Sequence, residues 1–361
     1  MKLFLYCGAF AVLLSACSRP IETDGYFAFP VTEHSLPEIR DTLHPVLLCD
    51  SPKQYQEWYI EGDKIIALSL VSYVPDKFVT VESISDGSIL GEFCVRGRGP
   101  QEFLSPIASD YRDGRLCIFD LVTNRYAELD VEESLAQGTS VYSRIVSLDS
   151  GDRDYWSLLS IHRWKDERLL AYDMGQDPMS ESLIAKPDYI EVDLENGRKI
   201  RELQLFGDIP FADKRRSSRR TPVKILLGAA DCMDAETGRL CMAMYFIPQI
   251  NIVDMESGRA VGFKLAEKTK SALQRGVRHY HDVTSAGDRI YALYFGEKEE
   301  NIFAGRSSTE LHVFDWSGRF IARYLLEDIV NGCKASEDGL YVTTYAEEGL
   351  RLNFVSWEQI H

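Results

Sequence analysis

A phrase that returns about every fifty residues constrains this chain more than any other feature. It consists of a turn with Gly or Asp, usually a basic residue, and then Ile or Leu opening an apolar run. It occurs at Gly62-Asp-Lys-Ile65, Asp113-Gly-Arg-Leu116, Asp166-Glu-Arg-Leu169, Thr237-Gly-Arg-Leu240, Gly287-Asp-Arg-Ile290 and, without the base, Asp338-Gly-Leu340. The Ile and Leu positions lie 51, 53, 71, 50 and 50 residues apart. A period of this size means repeated supersecondary units that bury a core only by stacking on one another.

From residue 60 onward no stretch sustains a 3.6-residue apolar period. Short runs of Val, Ile, Leu, Tyr and Phe alternate with turn clusters instead, which is the all-β signal. Each phrase is followed by a second strand with its own turn, as in Ile250-Asn-Ile-Val-Asp-Met-Glu-Ser-Gly258, and then by a strand leading away. Adding the strand before each phrase gives four antiparallel strands per unit, the size of a propeller blade. The expected fold is therefore an all-β, six-bladed β-propeller with four-stranded antiparallel blades, occupying residues 41–361. The last unit ends without an outer strand, and the spare apolar run Leu43–Cys49 is expected to complete it and close the ring. Pro45 suits such an edge, where a missing donor does no harm. The third unit is longer, with its excess at 175–187 and 207–224. The second of these contains Lys214-Arg-Arg-Ser-Ser-Arg-Arg220, read as a solvated insertion, with docking of an anionic partner as the alternative.

The start of the chain carries a different signal. Lys2, a short apolar run and Leu14-Ser-Ala-Cys17 form a secretory signal over 1–16. The run is shorter than the roughly 20 apolar residues a spanning helix needs. Leu-Ser-Ala-Cys resembles the bacterial lipobox, which implies that Cys17 is lipidated and that the mature chain is tethered to a membrane. Residues 17–40 then read as a spacer joining the lipid to the seam between the last blade and the first. This places the protein in the cell envelope as an outer-membrane lipoprotein, with either face of that membrane open to it.

Lys plus Arg number 40 against 56 Asp plus Glu, a net charge of −16. That balance argues against nucleic acid, whose binding rests on neutralised phosphates. No Cys-x-x-Cys pair indicates zinc or redox chemistry, and no motif calls for a cofactor. Cys232 and Cys241 are symmetric about the turn Asp234–Arg239 and are expected to face each other across a hairpin.

Arg96-Gly-Arg-Gly-Pro-Gln-Glu-Phe103 links blade 1 to blade 2. Its glycines permit positive φ, Pro100 fixes a turn and Phe103 packs beneath. It reads first as a structural crossover. The alternative is an anion-binding nest, with Arg96, Gly97, Arg98, Gly99, Pro100 and Glu102 as binding residues. Gly97-x-Gly99-Pro100-x-Glu102-Phe103, in an exported chain of β repeats, resembles the TolB-like six-bladed propeller lipoproteins of Bacteroidota. Members more often have Gly where this chain has Gln101. The resemblance implies the fold and the compartment, and brings no catalytic residues.

Propeller ligands bind at a mouth of the central channel, lined by the innermost strands. Nine residues before each repeat's Ile or Leu stand Gln56, Ile107, Ser160, Asp231, His281 and Asn331, a candidate polar ring. The densest chemical cluster is Arg278-His-Tyr-His-Asp282. His279 and His281 share a face if the strand is regular. With Asp282 they are metal-ligand candidates, a third ligand coming from Asp231 or His162 of another blade; with Asp231 they are catalytic candidates. The alternative is a hydrogen-bonded polar strand end. The leading functional expectation is a non-enzymatic binding or scaffolding propeller for a glycan, peptide or protein. The alternatives are an envelope hydrolase or lyase acting on polysaccharide or peptide, and a metal-binding structural module.

Overall fold

The computed structural model describes residues 26–51, 55–69, 76–149, 151, 156–165, 167–175, 187–207, 227–266, 277–346 and 349–360. The signal segment 1–16, Cys17 and the basic run 214–220 lie outside the described residues.

Six antiparallel sheets of four propeller strands follow one another along the chain. The innermost strand of each runs directly into the second through the turn of the recurrent phrase: Tyr55–Glu61, Pro106–Arg112, Leu158–Trp164, Ala229–Asp234, Val277–Ala286 and Val330–Ala335 are the six inner strands. Second strands such as Lys64–Ser69 and Arg239–Met244 are buried almost throughout. Both faces of each blade meet a neighbour, so these strands read as continuous apolar runs rather than as alternating ones. The core is accordingly a series of interblade clusters. Ile66, Leu68, Val79, Val81 and Phe93 of blade 1, for instance, pack with Leu116, Ile118, Ala127 and Leu129 of blade 2.

The ring is closed by an N-terminal strand, with its limits shifted from those expected. Val46–Ser51 pairs antiparallel with Gly349–Ser356 and supplies the outer strand of blade 6, placing Cys49 opposite Leu352. Leu43 belongs instead to Asp41–Leu43, which adds a parallel fifth strand to blade 5 beside Phe320–Leu326. Pro45, which lacks a donor, falls between the two strands.

The preceding residues depart further from the expected spacer. Val31–His34 pairs in parallel with Arg259–Leu265 at the rim of blade 4, and Phe27 bridges Phe206 beside blade 3. Tyr26 and Phe27 are buried in the cluster between blades 3 and 4. From Tyr26 onward the segment is thus a strap along the rims of blades 3 to 6, satisfying the free edges of blades 4 and 5. The strands on blades 4 and 5 span only four and three residues, too few to leave a period in the sequence. The described chain accordingly begins beside blade 3 and not at the seam between blades 6 and 1.

Sequence periodicity also passed over a two-turn helix, Val131–Gln137, between the third and fourth strands of blade 2. Asp130 caps it by accepting the Glu133 N–H at 3.0 Å, and Gly138 ends it at φ 67°.

Candidate functional site

The inner strands are tied to one another around the channel, mostly by polar side chains. Gln56 Nε2 donates to the Ile107 carbonyl, and Tyr59 shares a 3.1 Å hydrogen bond with Ser109. Asp110 accepts the Arg163 N–H at 2.8 Å. Asp282 accepts the Cys333 N–H at 2.8 Å, and Thr284 the Ala335 N–H at 3.1 Å. Low-dielectric surroundings make such bonds costly to leave unmade, which is why the inner strands carry so many polar residues.

Between them lies a cavity of about 590 Å³. Gln56, Ser160, Asp231, His281 and Asn331 all line it. Register shifts in five of the six inner strands fall beside the counted positions: Gln56, Ile107 and Asn331 are each the extra residue of a bulge, as is Leu159 next to Ser160. A bulge re-aims its side chain, which brings a residue onto the channel wall where strict alternation would not predict it.

The expected histidine cluster is divided by the same device. The strand Val277–Ala286 is irregular on both sides of Tyr280, so His279 and His281 do not act as a pair. His279 is buried inside blade 5 with Nδ1 3.3 Å from the Tyr294 hydroxyl, while His281 reaches the cavity and packs on Phe295. Asp282 is committed to backbone amides. Among the described residues no group of three or more His, Cys, Asp or Glu side chains is placed to hold a metal ion.

What the structure does assemble is a network around Asp231. One of its oxygens accepts from Ser160 Oγ at 2.6 Å and lies 3.0 Å from His162 Nε2, and the other accepts from the Tyr189 hydroxyl. Burial opposes the charged imidazole, but the adjacent Asp231 carboxylate outweighs it and raises His162 to about 9. Burial alone would lift Asp231. The His162 charge and the hydrogen bonds from His162, Ser160 and Tyr189 hold it below the ordinary carboxylate range instead. The result is an imidazolium–carboxylate pair inside the channel.

Serine, histidine and aspartate meet here without forming a nucleophilic relay. A relay needs serine and aspartate on opposite ring nitrogens. Here Nε2 faces both, at 3.3 Å from Ser160, and the serine hydroxyl is directed to Asp231.

Opposite this network stand residues that the count of nine did not find. Lys334 Nζ lies 3.9 Å from Glu57 and 5.4 Å from the centre of the Tyr59 ring. Burial lifts Glu57 to about 7 against the pull of Lys334, with Asp282 and Asp231 adding to the rise. The Glu57 side chain nevertheless remains 42 % accessible, so it faces the cavity space rather than a sealed core. Burial works against the Lys334 charge, but Asp282 and Glu57 more than compensate and hold it protonated. Tyr245 completes this wall, its outer face stacked under Arg278 at 4.6 Å. A count of six before each repeat's Ile or Leu would have found Tyr59, Asp110, Thr284 and Lys334. No count along the inner strands reaches Tyr189, which projects from the third strand of blade 3.

The loop Arg96–Phe103 makes the crossover from blade 1 to blade 2 and does not line the cavity. Gly97 N–H donates to the Phe103 carbonyl at 2.9 Å, and Gly99 N–H donates to Glu102 Oε2 at 2.7 Å. The loop's own carboxylate thus takes the place an anion would occupy in a nest. Arg125 clamps the carbonyls of Gly99, Pro100 and Glu102 at 3.0–3.1 Å. Neither glycine has positive φ. They are needed for close approach, since a Cβ on Gly97 would lie 2.0 Å from Glu102 Oε2.

Fold and cavity together define a six-bladed propeller with a polar channel site. Among solved structures, the chain is similar to a member of the DUF4221 family from Bacteroides vulgatus, with TM-score 0.57, 11% identity, and coverage of 92% of this chain and 98% of that one. It is also similar to a Bacteroides fragilis protein named as a candidate exported protein, with TM-score 0.52, 11% identity, and coverage of 91% and 99%. At that identity the likeness shows the fold. No family model and no curated protein matches the chain.

Proposed function

We propose that this chain is a tethered envelope lipoprotein that binds a ligand in the channel of its propeller, without turning it over. The cavity carries the reading. At about 590 Å³ it falls in the range of roughly 300–1,000 Å³ typical of ligand sites. Its wall combines ion pairs, amide and hydroxyl groups and tyrosine rings, the mixture that fixes a polar ligand. The ligand is an end or side chain of a glycan, peptide or protein partner. The misordered Ser160–His162–Asp231 geometry favours binding over hydrolysis. The Leu14–Cys17 box and the resemblance to TolB-like lipoproteins of Bacteroidota support lipid on Cys17 and an outer-membrane address.

Two experiments test this. A panel of oligosaccharides and peptides is screened by thermal shift against wild type, Tyr245→Ala and Asn331→Leu. The expected result is a wild-type shift lost in both variants; binding that both variants retain overturns the channel site. Labelling cells with an alkynyl fatty acid is expected to mark the wild-type chain and leave Cys17→Ser unmarked; equal labelling overturns the anchor.

A further inference from the structure

The charges lining the channel do not balance. Four carboxyl groups, Glu57, Asp110, Asp231 and Asp282, of which Glu57 is only partly ionised at neutral pH, stand against two cationic groups, His162 and Lys334. His162 is spent on Asp231 at 3.0 Å. Lys334 answers Glu57 and Asp282 together from a single ammonium. Asp110 and Asp282 each accept two backbone N–H groups, which bring no positive charge beside them. His281 adds no charge at neutral pH, because burial holds its imidazole below the ordinary range.

One of these carboxyl groups is open to the cavity, since the Glu57 side chain keeps 42 % of its surface accessible. The cavity therefore offers negative charge at an accessible carboxyl group, with tyrosine walls suited to a short alkyl stem.

Resting on the channel as the ligand site, we propose that the group it binds is a primary ammonium, carried by a lysine side chain or an amino sugar. An anion would meet the acidic excess and would have to draw Lys334 from its carboxylates. A neutral hydroxyl ligand would leave the excess in place. An ammonium supplies three donors and one positive charge.

Glu57 makes the proposal measurable. Its neighbours across the channel are Lys334 from blade 6, Asp282 from blade 5, Asp231 from blade 4 and His162 from blade 3. A bound ammonium favours its ionised form. Because burial holds Glu57 near 7, binding at mildly acid pH must release its proton.

The test is calorimetry with four probes on the full mature chain: a short lysine-containing peptide, the same peptide with acetyl-lysine, a glucosamine oligomer and its N-acetylated form. At least one free amine is expected to bind at least about tenfold more tightly than its acetylated partner, and which pair responds identifies the source. In the lysine arm the ammonium stays charged throughout, so affinity should rise about tenfold from pH 6 to pH 8 as Glu57 ionises. Glu57→Gln should abolish that pH dependence while its thermal unfolding shows a folded domain. Acetylated and free probes binding equally, or none of the four binding, overturns the ammonium. If acetylated probes bind and Tyr245→Ala or Asn331→Leu weakens them, the channel reading survives that failure. If those variants change nothing, the channel reading fails as well.

Discussion

Between Arg96 and Phe103 the chain turns its polar groups on one another, whereas around the channel it leaves some of them without a partner. In the loop, Glu102 occupies the Gly99 amide and Arg125 takes up the carbonyls. In the channel, the Glu57 side chain stays 42 % accessible and Lys334 faces it at 3.9 Å without a close hydrogen bond. Both regions looked capable of binding when read as residue types. The difference lies in whether the acceptors and donors of a region add up. A motif that satisfies itself is structure, and a wall that does not is where a ligand is to be sought.

This contrast can be broken by measurement. The largest effect is expected from Phe103→Ala, which empties the fully buried position beneath the loop and should cost about 3–5 kcal/mol of stability in denaturant unfolding. At temperatures where the variant is folded, ligand binding should be unchanged; a selective loss of binding would return the loop to the list of sites.

Asp231→Ala comes next. It leaves the His162 imidazolium without its carboxylate, and one-sided loss of a buried pair costs about 3 kcal/mol. Unlike the loop variant, it should also abolish ligand binding in the folded protein.

The same pair sets a pH dependence. His162 rises from 6.5 in the unfolded chain to about 9 when folded, so its contribution is complete below pH 6.5 and is lost as pH climbs through 9. That is on the order of 3 kcal/mol if nothing else titrates. Asp231, held low, contributes above its ordinary value near 4 and loses that contribution in acid. Glu57, raised from 4.5 to about 7 on folding, adds a fall between those values, so thermal unfolding should give its highest midpoint near pH 4 to 4.5 and decline through pH 9, with the limb from pH 7 to 9 due to His162. His162→Gln should flatten that limb. An unchanged limb would place the titration elsewhere.

Gly97→Ala should be milder, about 1–2 kcal/mol, because the added methyl displaces the Glu102 carboxylate from the Gly99 amide. Arg98→Ala should stay within about 0.5 kcal/mol and leave binding intact. A large binding loss from Arg98→Ala would revive the anion-nest reading.

The sequence by itself determined the blades. The recurrent turn and the Ile or Leu after it fix where each second strand begins, because turn chemistry and strand burial are local. Counting back from that point also placed Gln56, Ser160, Asp231, His281 and Asn331 on one channel wall, since hairpins of similar length keep the inner strands in step. Cys232 and Cys241 were likewise legible from the hairpin. They stand opposite each other as free thiols in register. Three things were decided only by tertiary structure. The bulges around Tyr280 separated His279 from His281. Packing of blade 3 against blade 4 joined His162 to Asp231 across 69 residues, with Tyr189 reaching in from a strand no count would visit. The strap from Tyr26 to Leu43 found edges on blades 3, 4 and 5 through contacts of a few residues each. All three depend on pairings distant in sequence, whose energy arises only once the ring has closed.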